Sequence, residues 1–429
     1  MLRILKLLRL TAAVTMTAAA AVVSQAAEPF DSVFADSTIR IDYVLAGTTR
    51  APSAAVRRTV ATDGWAGRRH NLDRLPLAGN ARLTVPSATG DTLYRTSFSS
   101  LYNEWLALGD SVPRAFEHSV LMPMPRHPVT VTLDVLNPRH ECVASVSHRF
   151  DPEDILIQRS AAARHDTVMI HSGNYQGPKI RFAFLPEGFR ADEMDSFHAY
   201  ARRAVDALFA HEPFGELRER FDFVAVDVPS VDTGVSRPSE NDWRNTAFSS
   251  HFSTFYSDRY LTVPNVFAMH DALTGIPYEH IVVLANTATY GGGGIYNEYT
   301  VTNTGNPKFE PVVVHEIGHS FGGLGDEYFY ETDVMNDTYP LDVEPWEPNI
   351  TTLVDFQGKW KHLVKDGTPV PTPSDRAAEF PVGVYEGGGY STHGVYRPAD
   401  VCRMRINEID HFCPACIDAL RRLILFYTE

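Results

Sequence analysis

Cysteine is scarce in this chain: four residues in 429, and three of them, Cys402, Cys413 and Cys416, crowd into one short stretch. So few thiols exclude a small disulfide-built scaffold, so the fold has to be held by buried apolar surface. Positive charge is also in deficit, with 38 Lys and Arg against 53 Asp and Glu and a formal net charge of −15. That balance removes the electrostatic basis for nucleic-acid binding. Beyond the N-terminus there is no run of about 20 apolar residues, so no membrane-spanning helix is expected in the mature chain. Internal repeats and low-complexity tracts are missing too.

The first 26 residues differ from the rest. Arg3, Lys6 and Arg9 give a positive start, an Ala- and Val-rich run covers residues 10–23, and Ser24-Gln25-Ala26 offers small residues to a signal peptidase. The expectation is a secretory signal peptide over residues 1–26, an exported bacterial protein and a mature charge of −18, three cations having been removed from −15. In an oxidising compartment a disulfide between Cys402 and Cys413 or Cys416 is expected; a zinc site using Cys402, His411, Cys413 and Cys416 is the alternative.

Length suits two domains. Residues 38–44, 81–85, 92–98, 129–135 and 142–150 alternate apolar and polar between turn residues, which predicts a β-sandwich over residues 27–160. From residue 161 the texture changes to strands at 179–185, 221–228 and 280–285 interleaved with helices at 194–211 and 266–273. This second part, residues 161–429, reads as an α/β domain. The fold expected overall is α+β.

Chemistry concentrates in His315-Glu316-Ile317-Gly318-His319. After Pro311 and a Val312-Val313-Val314 run the segment reads as a buried helix. Four residues apart on one face, His315 and His319 can present two imidazoles to one metal, while Glu316 stands beside a water that the metal would acidify. A buried core histidine pair is the bland alternative. The following Gly322-Gly323-Leu324-Gly325-Asp326-Glu327-Tyr328 argues against it, because a glycine break can turn the chain and carry a carboxylate back as third ligand. In the metzincin spacing the third ligand falls on Gly325, which has no side chain. Asp326, one residue later, is the preferred ligand, with Glu327 and Glu331 as alternatives. Met404 is the candidate apolar floor beneath the metal, and the glycines at 291–294 read as a strand edge left bare for an extended peptide.

At these residues the chain resembles the bacterial IgA peptidase family of zinc metallopeptidases. The resemblance rests on His315 to His319, on Gly325-Asp326-Glu327-Tyr328, on Tyr396-Arg397-Pro398, on Cys402 with Met404, and on Phe412-Cys413-Pro414-Ala415-Cys416. It implies a metzincin-like domain acting on protein or peptide, with Zn2+ held by His315, His319 and Asp326 and Glu316 as base. Tyr328 and Tyr396 are both candidates for placing a phenol near the oxyanion. An immunoglobulin substrate is not implied, and the oligomeric state stays open. Two other functions compete: a secreted binding protein for glycan or host protein on an inactive peptidase scaffold, and a thiol oxidoreductase using Cys413 and Cys416.

Overall fold

The structure, a computed structural model, describes residues 29–108, 112–159, 165–330 and 339–429. The expected signal peptide and Glu331 lie outside them. The N-terminal part runs α1 (Phe30–Val33), β1 (Phe34–Thr48), β2 (Ala51–Asp63), β3 (Ala81–Pro86), β4 (Thr92–Phe98), α2 (Leu101–Leu108), β5 (Arg114–Pro125), β6 (Val129–Leu136), β7 (Cys142–Phe150) and β8 (Gln158–Arg159). They form two four-stranded sheets, ordered β5-β1-β2-β8 and β4-β3-β6-β7. Alternation explains how the sheets share one core: Ile39, Ile41, Tyr43 and Leu45 from β1 meet Leu83, Val85, Val131, Leu133 and Val135 from the other sheet, all fully buried. Strands β2 and β5 are absent from the sequence expectation. β2 is rich in Ala and Arg and buries only Val60 and Ala61, and β5 carries Pro123 and Pro125, which its place at a sheet edge tolerates.

The second part continues with β9 (Thr167–Ser172), β10 (Ile180–Glu187), α3 (Met194–Phe209), β11 (Phe221–Val226), α4 (Val266–Ala272), β12 (His280–Ala285), β13 (Gly292–Ile295), β14 (Tyr299–Asn303), α5 (Phe309–Ser320), β15 (Tyr385–Gly388), β16 (Ser391–Arg397) and α6 (Pro414–Thr428). Strands β14, β12, β10 and β11 run parallel in the middle of a six-stranded sheet, flanked by antiparallel β13 and β9 at its edges. Period-two alternation again sets the layers. Phe182, Phe184, Val282 and Leu284 face a core completed by α3, α5 and α6. Ala183, Leu185, Val283 and Ala285 face the opposite core, which takes in α4 and Leu101 from α2. The architecture is mixed α+β, and no helix among the described residues is long and apolar enough to cross a membrane.

The two parts are joined by charge as well as by apolar contact. Asp42 of β1 is fully buried and accepts from Arg40 Nη2 at 3.1 Å and from Arg58 Nε at 2.6 Å. Both guanidinium groups also reach Asp271 on α4, at 2.5 and 2.8 Å. Ser119 Oγ donates to Asp42 at 2.5 Å. The N-terminal part also braces the edge strand, since Tyr296 O accepts from Ser99 N at 2.9 Å and the buried pair His118 and Glu298 stands at 2.6 Å.

Removing Asp42 takes from buried Arg40 its one fully buried counter-charge and leaves it only the partly exposed Asp271. Asp42→Ala is expected to cost about 3–5 kcal/mol of stability. Denaturant unfolding followed by tryptophan fluorescence reads the change directly; a midpoint equal to that of the wild type would contradict this account of the junction.

Candidate metal centre

Helix α5 has two unlike faces. Val313, Val314 and Ile317 lie in the core against the sheet, which leaves His315, Glu316 and His319 on the partly open side. The helix begins at Phe309, so Pro311 falls in its first turn, where a missing N–H breaks no helical bond. It ends at Ser320, after which Gly323 takes a left-handed φ of 58° and Leu324 N folds back to Gly318 O at 3.0 Å. A side chain at 323 would be strained in that conformation, and the glycine lets the chain reverse toward the imidazoles.

Three donor atoms meet there. His315 Nε2 and His319 Nε2 are 3.0 Å apart, and Asp326 Oδ1 lies 3.1 and 3.2 Å from them. Ligands about 2.0–2.1 Å from a tetrahedral zinc are separated by about 3.3 Å, so the triangle is close to what such an ion needs. Each imidazole is held in the required tautomer. His315 Nδ1 donates to Arg403 O at 3.1 Å and His319 Nδ1 to Leu324 O at 2.6 Å, which turns both Nε2 lone pairs inward. Asp326 Oδ1 is buried and has no hydrogen-bond partner, while Oδ2 accepts from Tyr390 Oη at 2.5 Å. An orphaned carboxylate oxygen facing two imidazole lone pairs fits a cation.

Electrostatics gives the same reading. Burial opposes a charge on His319, yet the Asp326 carboxylate outweighs it and lifts the imidazole to about 9. Burial alone would raise Asp326, but His319 and His315 hold it far below the usual carboxylate range. The pocket therefore favours a positive charge between these groups. Glu316 stands beside them, pushed up by burial and pulled back in part by both imidazoles. Side-chain exposure of the three donors is 10–16%, so one side of the cluster stays open.

Why Asp326 rather than Gly325 or Glu327 meets the imidazoles follows from residues distant in sequence. Asn349, fully buried, accepts from Gly325 N at 2.7 Å and donates to Gly325 O and Glu327 Oε1, each at 2.9 Å. Gly389 N donates to Asp326 O at 2.8 Å. The segment is thereby held extended, and successive side chains point to opposite sides. Asp326 faces the histidines. Glu327 faces away, into a pocket with Cys402, Cys413 and Cys416.

Other residues singled out in the sequence can now be placed. Met404 is fully buried beneath α5, and a Cβ on Gly318 would fall 2.6 Å from its sulfur. The glycine run is bare because of packing on both its sides. A Cβ on Gly294 would meet Glu316 O at 2.3 Å, one on Gly292 would meet Glu316 Oε1 at 2.8 Å, and one on Gly293 would press on Tyr260. Edge strand β13 can thus lie directly along α5. Tyr328 Oη is 3.2 Å from Tyr390 Oη, whereas Tyr396 sits on β16 with its backbone bridged to Thr351. Sequence reasoning missed Tyr390 and Asn349; neither stands at a fixed spacing from the histidines.

The expected disulfide is not formed. Cys402 and Cys416 sulfurs are 3.8 Å apart against about 2.05 Å for a bond, and all four cysteines are free. His411 is exposed and paired with Asp410, so it does not join the cysteines. Cys413 and Cys416 are at most 1% exposed, which leaves no approach for a thiol-exchange partner.

Residues 168–380 match the family model described as IgA Peptidase M64, and residues 29–147 match the one described as Peptidase M64 N-terminus. No curated protein matches the chain.

Two substitutions probe this geometry. Tyr390→Phe frees Asp326 Oδ2 without changing the donor set and is expected to weaken metal binding about 10–100-fold in a competitive chelator titration. Gly294→Ala drives a methyl group into the α5 backbone and is expected to cost about 1–3 kcal/mol in thermal unfolding. An unchanged metal affinity in the first, or an unchanged melting temperature in the second, would show that the contact is dispensable.

Proposed function

The chain belongs to the IgA peptidase M64 family and is a peptidase, and from that premise we propose that it is an exported zinc-dependent endopeptidase. The observation that carries the reading is the inward-facing triangle of His315 Nε2, His319 Nε2 and Asp326 Oδ1, with the free Glu316 carboxylate beside it. These are the three protein ligands of a catalytic zinc, and the open side leaves room for substrate. We read the two N-terminal sheets as a β-sandwich, the second part as a metzincin-like domain, and residues 1–26 as the signal peptide that directs export.

Zinc bound there supplies Lewis acidity and brings the pKa of a water toward neutrality. With that chemistry supplied, Glu316 would take a proton from the attacking water as the water oxygen bonds to the scissile carbonyl carbon. The C–N bond then breaks, and the same carboxyl returns a proton to the departing amine. Of the two candidate phenols, Tyr328 is the one linked by hydrogen bonds, through Tyr390, to Asp326, and it would serve the developing oxyanion. Its hydroxyl stays protonated, since burial pushes it well above the ordinary tyrosine value. Strand β13 lies at the sheet edge alongside α5, bridged on its outer side to Tyr260 at Gly292, and an extended peptide would pair with the backbone groups of that edge beyond the bridge.

An inactive scaffold used for binding would have no need of Glu316. Glu316→Gln is expected to keep zinc at the His315, His319 and Asp326 site while hydrolysis of a mixed peptide library falls about 10²–10⁴-fold. Chelator treatment should abolish cleavage by the wild type, and added zinc should restore it. Cleavage by the variant at the wild-type rate would remove Glu316 from the chemistry.

A further inference from the structure

Behind the histidine cluster, on the other side of the same extended segment, four more donor atoms converge. Cys402, Cys413, Cys416 and Glu327 bring three sulfurs and a carboxylate oxygen within 4.8 Å of one another. None of the four is more than 1% exposed. Cys416 Sγ is 3.1 Å from Glu327 Oε1, and Cys413 N donates to Cys402 Sγ at 3.2 Å. Glu327 Oε2 is buried without any hydrogen-bond partner.

As a set of apolar-core residues this makes little physical sense. A carboxylate at zero exposure is expensive unless paired, and among the described residues no guanidinium or ammonium bonds to it; its hydrogen bonds come from Asn349 and Cys416. As a disulfide the cluster is poorly arranged, since three thiols leave one over and the Cys402 and Cys416 sulfurs are too far apart. As a metal site the geometry fits. Tetrahedral thiolates at about 2.3 Å from zinc lie about 3.8 Å from each other, and Cys402 and Cys416 are 3.8 Å apart. Cys413 caps α6 and Cys416 lies in its first turn, where the helix dipole favours thiolate.

We propose that Cys402, Cys413, Cys416 and Glu327 form a second, structural zinc site. It ties together three segments that the histidine cluster depends on. Glu327 adjoins Asp326. Cys402 begins the turn whose Arg403 carbonyl orients His315 and whose Met404 carbonyl accepts from Glu327 N at 2.9 Å. Cys413 and Cys416 anchor the start of α6. With four protein ligands and no exposed face this ion has no open position, so its part is to hold the segments in place, not to act on substrate. The proposal stands independently of the peptidase reading, because it concerns different residues.

The full-length protein is purified without chelator, equilibrated with Zn2+, freed of loosely bound metal by gel filtration and analysed for zinc. Two zinc ions per chain are expected for the wild type and one for His315→Ala/His319→Ala. Replacing zinc by Co2+ in that double variant is expected to give the intense near-ultraviolet charge-transfer band of thiolate-bound cobalt. Adding Cys416→Ser should remove both the band and the remaining ion. Thiols counted after unfolding without reductant should number four, as in the sequence. A double variant that binds no metal, or an unfolded chain showing two thiols fewer, overturns the proposal. Should Cys416→Ser not fold, the double variant and the thiol count decide the question between them.

Discussion

Extended backbone at Gly325-Asp326-Glu327 is the constraint on which the rest of the site depends. An extended strand sends neighbouring side chains to opposite sides, and this one is fixed by Asn349 on one flank and by Gly389 on the other. One side chain therefore completes the histidine cluster and the next enters the cysteine pocket. If the segment relaxed by one residue, each carboxylate would face the wrong set of donors. A buried amide with all its polar atoms used is well suited to prevent that, since slippage would strand three hydrogen bonds out of reach of water.

The N-terminal part is more than an appendage to the catalytic half. Its strand ends and the α2 segment bear on residues 290–300, the stretch that contains edge strand β13. Tyr260, packed on Gly293, donates to Glu104 of α2 at 2.5 Å. Edge strand β13 is thus braced from outside the part that carries the histidines. The buried charges around Asp42 fix how the two parts meet.

Local pattern made much of this legible in the sequence. Alternation marked β4 and β7, the unbroken Ile281-Val282-Val283-Leu284 run marked β12, and the helical spacing of His315 and His319 placed two donors on one face. What was hidden depends on residues far apart in the chain. Two strands of the first sheet lacked the expected composition because one buries only two of its residues and the other lies at an edge. The glycines of residues 291–294 suggested an open edge for peptide, yet their more basic reason is the contact with α5 and Tyr260, which no local pattern records. Tyr390 and Asn349 carry no motif; only the folded backbone brings them to Asp326. The cysteines suggested a cross-link because spacing alone cannot reveal that a carboxylate from residue 327 stands among them.

One consequence concerns the order in which the polypeptide is made. His315 takes its orientation from a carbonyl 88 residues further along the chain. A ribosome that has just released Tyr328 has already delivered both imidazoles and Asp326, but nothing yet fixes the first ring. Competent geometry has to wait for residues beyond 400 to emerge and fold back. The protein thus carries a built-in delay between translating the segment from His315 to Asp326 and assembling the pocket around it.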